Sequence, residues 1–327
     1  MKRLALALSA ERWGVPGRYH PQGLRGLRGL RGLFALCTVL GLSLGAAPFA
    51  HAAPIELRDA LGRTVVLPAP PQRLVTIFSS NTELVAALGL ADRIVGVEEY
   101  PRFPPEVVGK PKVGGRLGFS VDAVVALRPD LVIVTPARQA ANQLVEPMER
   151  IGVPVMVLLS RSVGEVLGNI RLVGRAAGVP ERGDALAQSL QARLDAVARQ
   201  VAHQPAPRLV MVTGRVGNGM LLVARSDTYT GEAMVMAGGR FAIAGRGAVA
   251  QVSPEAILAS DPDVLLFAGT QTALDELIRL PGWRDMRAVR ERRAVTVSRS
   301  EFLIPGPRTI DGIESLARWL HPAQGPP

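Results

Sequence analysis

The 327-residue sequence predicts an α/β protein built as two similar Rossmann-like lobes joined by a single long α-helix. Three observations carry that expectation. Short apolar runs alternate with helical patterns on both sides of a strandless stretch, as parallel α/β units require. From Glu181 the strandless stretch repeats apolar residues at helical spacing (Leu186, Leu190, Leu194, Val197, Val201) until Pro205 and Pro207 stop it. That is a helix of about 20 residues, or roughly 30 Å. Finally, at a constant offset of 133 residues, Phe119–Val134 aligns with Val252–Phe267. The identities are Ser120/Ser253, Ala123/Ala256, Ala126/Ala259, Pro129/Pro262 and Asp130/Asp263, and Asp122 faces Glu255. A generic helix, Pro-Asp, strand unit gives some such likeness, but two related lobes account for it better.

In chain order, Arg25, Arg28 and Arg31 precede an apolar run from Leu33 to Ala47 and the small residues Ala50 and Ala52. This is the layout of a secretory signal peptide over residues 1–52, cut after Ala52. The run falls short of the about 20 residues of a membrane span. Cys37 is a poor lipid acceptor, because bulky Leu36 precedes it and apolar sequence continues past it. A soluble, monomeric periplasmic protein is expected. Residues 53–72 read as a hairpin-like strap around Leu61-Gly62-Arg63, broken by Pro68, Pro70 and Pro71. Residues 73–180 form the first lobe. Its expected strands are Arg73–Phe78, Ile94–Val97, Leu131–Thr135 and Val153–Leu158, and its helices Thr82–Leu88, Val121–Leu127 and Gln139–Ile151. Residues 181–204 are the linker helix. Residues 205–327 form the second lobe, with strands at Leu209–Thr213, Leu221–Ala224, Val264–Ala268 and Ala294–Val297 and a last helix near Thr309–Leu320.

Composition excludes several classes of function. The formal net charge is +10, yet residues 1–52 hold seven of the 38 basic residues and one of the 28 acidic ones. The remainder is 31 against 27, without a basic stripe interleaved with aromatics, so no nucleic-acid partner is expected. The one cysteine lies in the leader, and only His203 and His321 remain after it, so no thiolate or ordinary zinc site is expected. An exported α/β enzyme is the distant alternative. Gly214–Gly219 is spaced GxxGxG rather than GxGxxG, and no Gly-x-Ser-x-Gly elbow occurs. Neither catalysis nor a resident cofactor is expected.

Pro71–Val97, Tyr100–Glu106, Lys112–Val134, Val252–Phe267 and Gly306–Leu320 together resemble the helical-backbone (class III) substrate-binding proteins of ABC importers for iron-siderophores, haem and cobalamin. The resemblance runs from about Ile55 to Pro322. It implies a ligand cleft between the lobes and delivery of the ligand to an inner-membrane ABC permease dimer. In proteins of this kind, acids at the positions of Asp122 and Glu255 pair with arginines of the two permease subunits. Both residues also sit in the first turn of a helix capped by Ser120 or Ser253, where a negative charge favours the helix dipole, so capping and docking can coexist.

Loops after strand carboxyl ends bind ligands in open α/β sheets, which selects the cleft candidates Ser79, Ser80, Asn81, Tyr100, Arg116, Arg215, Tyr229 and Arg308. Asn81 could equally cap the following helix, and Tyr100 could pack on Pro101 and Pro104. Arginines could grip an anionic ligand in bidentate fashion, or form structural ion pairs. Gly115 stands where some haem-binding relatives carry an axial tyrosine, and aromatics are few, so a small-molecule metal chelate of the ferric siderophore type is the expected ligand. Cobalamin, haem and a molybdate-type oxyanion are the alternatives.

Overall fold

The computed structural model describes residues 53–115, 118–135, 140–243 and 251–322. The leader and Arg116 therefore lie outside the described residues. The strap is an antiparallel hairpin of β1 (Ile55–Arg58) and β2 (Thr64–Leu67). Its turn is fixed by Asp59, whose carboxylate accepts hydrogen bonds from the Leu61 and Arg63 amides and pairs with the Arg63 guanidinium at 2.6 Å. Ala60 donates to the Val157 carbonyl at 2.9 Å, which docks the hairpin on the first lobe.

That lobe is a parallel sheet in the order β4-β3-β7-β8, formed by β3 (Leu74–Ile77), β4 (Ile94–Val97), β7 (Leu131–Val134) and β8 (Val155–Val157). Every residue of β3, β7 and β8 is buried, which is why these strands read as unbroken apolar runs rather than as alternation. Helix α1 (Ser79–Ala87) follows β3 directly. A small hairpin, β5 (Gly114–Gly115) with β6 (Gly118–Phe119), leads into α2 (Val121–Ala126). Gly114 has φ of 110°, and a Cβ there would lie 2.8 Å from the Phe119 Cα, so only glycine closes this turn. Helix α3 (Ala140–Arg150) connects β7 to β8.

Between the lobes run α4 (Val163–Ala176) and α5 (Pro180–Val201). The linker helix α5 has 22 residues and opens on Pro180, whose missing N–H costs nothing at a first helical position. The two helices cross at Gly174 and Gly183, where an added Cβ on Gly183 would meet the Gly174 Cα at 3.2 Å and the Ile170 carbonyl at 3.0 Å. One continuous apolar core joins Leu84 and Ile170 of the first lobe, Leu190, Leu194 and Val197 of the linker, and Met234, Ile313 and Leu316 of the second lobe. The linker is thus packed on both lobes, and it cannot bend without opening this core.

The second lobe centres on β9 (Arg208–Arg215), flanked by antiparallel β10 (Leu221–Val223) and parallel β13 (Val264–Ala268), with β14 (Ala294–Val297) beyond β13. Short β11 (Arg240–Phe241) and β12 (Gln251–Val252) extend it. Its helices are α6 (Tyr229–Met236), α7 (Pro254–Ser260), α8 (Gln271–Ile278), α9 (Arg287–Arg290), α10 (Arg299–Phe302) and α11 (Arg308–Leu320).

The internal likeness of the two lobes extends to their hydrogen bonds. Ser120 caps α2 by accepting from the Ala123 amide at 3.1 Å, and Ser253 caps α7 from the Ala256 amide at 3.2 Å. Arg128 and Asp261 both take left-handed φ, 45° and 36°. The Arg73 guanidinium binds the carbonyls of Leu127 and Arg128, and Arg208 binds those of Ser260 and Asp261. Asp130 and Asp263 then accept from the amides of Arg73 and Arg208 at 2.9 and 2.8 Å. The same clasp closes the same helix-to-strand turn in each lobe.

Candidate functional site

The segments that follow β3, β4, β9, β13 and β14 carry the candidate residues. One contact joins two of these segments across the lobes. Arg308, at the start of α11 in the second lobe, grips both carboxylate oxygens of Glu83 in α1 of the first: Nε donates to Oε2 at 2.8 Å and Nη2 donates to Oε1. The Glu83 side chain is 3% exposed and that of Arg308 23%. Phe103, also of the first lobe, lies over the guanidinium with its centroid 4.2 Å from Cζ, within range of a cation–π contact.

Arg308 was expected either to face an anionic ligand or to form a structural ion pair. It pairs with a carboxylate of its own chain, so its charge is already compensated. The Phe78–Thr82 loop expected after the first strand is likewise helical from Ser79. Phe78 takes φ of 78° to turn the strand sharply into α1, a costly conformation for a residue with a side chain. Asn81 does not cap that helix: it is 2% exposed, and its amide donates to the Ile77 carbonyl at 2.6 Å. Ser80 is buried at 8%. Ser79 alone of the three stays partly open, and its hydroxyl donates to Glu98 just beyond β4. Arg215 is exposed, with one contact at 3.3 Å to the Ala273 carbonyl. Tyr100 is 70% exposed, so it is not packed on its neighbouring prolines. Tyr229 is half-buried in the first turn of α6, and burial pushes its phenol up to about 12.

Sequence reasoning missed the acidic side of the site. Burial raises Glu83 above the ordinary carboxylate range, with Arg308 offsetting part of the rise and nearby Glu98 adding to it. Glu98 is raised by burial, less what the Ser79 hydroxyl returns. Glu301 in α10 is raised by burial and then by Asp311. Glu83 thus binds the Arg308 guanidinium, Glu301 feels its charge, and Glu98 lies close enough to Glu83 to raise it further. The motif Asn81-Thr82-Glu83 was visible as the start of a helix, but nothing local marks a glutamate whose partner lies 225 positions away. Also missed were the phenylalanines Phe78, Phe103 and Phe119. Phe78 and Phe119 pack edge-to-face at 6.0 Å, both half-buried, and Phe103 and Tyr100 are exposed beside the same strand ends. Arg299 was also overlooked; its Nη1 bridges the Thr213 and Ala268 carbonyls at 2.9 and 3.0 Å, at the ends of β9 and β13.

Donors for a metal are scarce. Among the described residues no group of three or more His, Cys, Asp or Glu is placed to hold a metal ion. His321 ends α11, 13 residues or about 20 Å of helix away from Arg308. The Tyr100 phenol is raised by its hydrogen bond to Glu99 and by that residue's charge, which disfavours a phenolate.

Two α/β lobes joined by one long helix packed on both define the architecture of a two-lobed binding protein. The chain belongs to the periplasmic binding protein family, which matches residues 74–299. Among curated proteins it is 28% identical to an uncharacterized ABC transporter substrate-binding lipoprotein of Bacillus subtilis, over 82% of this chain and 86% of that one. It is 24% identical to a vitamin B12-binding protein of Vibrio cholerae, over 79% and 92%. Among solved structures, a periplasmic heme-binding protein from Pseudomonas aeruginosa superposes with a TM-score of 0.69 at 30% identity, covering 79% of this chain and 95% of that one.

Proposed function

We propose that this protein is the substrate-binding component of an ABC importer and carries a metal chelate of the corrinoid class. The importer assignment is supported by the family and by the similarity to an ABC transporter substrate-binding protein along most of both chains. The ligand class rests on one observation: Arg308 is already neutralised by Glu83, and the further acceptors near that pair are carboxylates, Glu98, which also accepts from Ser79, and Glu301. A ligand fringed with carboxamide N–H donors matches such a surface, whereas one fringed with carboxylates is repelled by it. A corrinoid also brings axial ligands for its own metal, which suits a cleft without a histidine or an acidic phenol. The half-buried Phe78 and Phe119 rings, packed edge-to-face, offer apolar contact for a macrocycle. The relatives that bind vitamin B12 point the same way.

The expected ferric siderophore is the second reading. It is favoured by Arg215 and Arg299, which place two guanidiniums at strand ends of the second lobe. Titration of intrinsic fluorescence with cyanocobalamin, dicyanocobinamide, haemin and ferric catecholate, hydroxamate and citrate chelates separates the two. Saturable micromolar or tighter binding of the corrinoids alone is expected. Binding of the ferric chelates without the corrinoids would overturn the proposal in favour of the second reading.

In either case Asp122 and Glu255 are proposed to meet the permease, one acid per lobe, from the first turns of α2 and α7. Glu255 is held below the usual carboxylate range by its own backbone N–H and by Ser253, so it stays charged.

A further inference from the structure

The contact between Glu83, Arg308 and Phe103 is more than one ion pair in a core. It is assembled from both lobes: the carboxylate and the ring come from the first, the guanidinium from the second. It borders the shared apolar core, to which Leu84 beside Glu83 and Ile310 near Arg308 both belong. The linker helix of 22 residues and that core hold the lobes together by packing. The second polar tie between the lobes is at the start of α4, where Glu232 of α6 accepts from the Val163 amide at 2.6 Å. The two ties differ in what surrounds them. Val163 is fully buried. Below Glu83 and Arg308, by contrast, lies a cavity of about 290 Å³ lined by Ala86, Ala87, Ala91, Pro104 and Pro307. Small side chains leave room there for the Phe103 ring and the Arg308 stem to swing without displacing core.

We propose that Glu83, Arg308 and Phe103 form an interlobe clamp that fixes the width of the cleft, so that the cleft opens by release of this clamp and not by bending of the linker helix. The physical ground is a contrast of stiffness. A bidentate guanidinium–carboxylate pair has one good geometry, and the ring holds the planar cation in it. Interfaces of this kind have discrete arrangements, formed or broken. Glu83 and Phe103 are positioning residues in this account: they act on Arg308 and on the spacing of the lobes. The clamp is a property of the ligand-free lobes and holds whatever the cleft takes.

The test measures the separation of the lobes directly. Spin labels are placed at Val125→Cys and Ala259→Cys, both exposed on α2 and α7, in the full chain carrying Cys37→Ser so that no other thiol is present. The distance distribution between the labels is recorded without ligand by pulsed electron resonance. The unaltered clamp should give one narrow distribution. Glu83→Gln and Phe103→Leu should each broaden it at least about twofold or shift it outward, with Arg308→Lys between them, because a single ammonium cannot make two parallel bonds. Phe103→Leu keeps the volume and removes the π face, so it remains informative if Glu83→Gln folds poorly. Distributions that superimpose on the parent in folded Phe103→Leu and Arg308→Lys proteins would overturn the clamp. A corrinoid titration that fails while the distributions broaden would count against the ligand assignment alone.

Discussion

Replacing Arg308 by Ala is expected to destabilise the protein more than it weakens ligand binding. Without Arg308, Glu83 keeps a carboxylate that is 3% exposed and, among the described residues, has no other cation in contact. Removing one partner of a buried pair costs about 3–5 kcal/mol. The Arg308 side chain is 23% exposed, so water can partly enter and the lower figure, about 3 kcal/mol, applies here. That is roughly a hundredfold fall in the ratio of folded to unfolded protein at 25 °C. Much of the cost is the stranded charge. Glu83→Gln combined with Arg308→Met should therefore recover more than half of it, because neither side chain is then a buried ion. Urea unfolding followed by circular dichroism reads all three variants against the parent, with the slope checked for constancy. A loss below about 1 kcal/mol for Arg308→Ala would refute the reasoning, since that is the range of exposed pairs. A double variant no more stable than Arg308→Ala would show that the stranded charge is not the cause.

Further outcomes follow from other parts of the molecule. Glu98 has its folded pKa raised by burial, so the folded state binds its proton more tightly than the unfolded chain does. Its ionised form therefore weakens the fold at neutral pH, and that penalty fades as pH falls through the folded pKa towards 4.5. Glu98→Gln should be more stable than the parent at pH 7 and should converge with it near pH 4.5, read by melting temperature across that range. An equal gain at both ends would rule out titration of Glu98. Asp122→Lys with Glu255→Lys should abolish stimulation of the cognate transporter's ATPase in proteoliposomes while the ligand dissociation constant stays unchanged; survival of the stimulation would remove both acids from the docking face. Gly183→Ala places a methyl group 3.0 Å from the Ile170 carbonyl, and the overpacking should cost about 1–3 kcal/mol, seen as a lower melting temperature. An unchanged melting temperature would mean that the crossing of α4 and α5 is loose.

Particular residues show how much could be read before the fold was known. The repeat at offset 133 was legible because it is local: a serine cap, an apolar turn, Pro-Asp and a strand recur in order, and each acts on neighbours a few positions away. Its hydrogen bonds proved to repeat as well, including the clasp by Arg73 and Arg208, which no spacing rule would have paired with it. The linker helix was legible for the same reason, its apolar stripe at 3.6-residue spacing ending at Pro205 and Pro207.

The cleft was read only in part. Strand ends could be located, but which of their side chains point inward depends on the turn that follows, and the left-handed Phe78 turned Asn81 and Ser80 into the lobe and left Ser79 outside it. Arg308 read as an arginine for a ligand because a sequence shows charges without their partners. By itself, the sequence determined two related α/β lobes, the helix between them and the positions of the paired acids, since propensity, capping and periodicity act within a few residues. Only the tertiary structure decided the character of the cleft. Burial and pairing across 225 positions compensate Arg308, raise Glu83, Glu98 and Glu301, and set the Phe78 and Phe119 rings edge-to-face. Desolvation and long-range pairing are properties of the folded surface, and they leave no periodic trace in the chain.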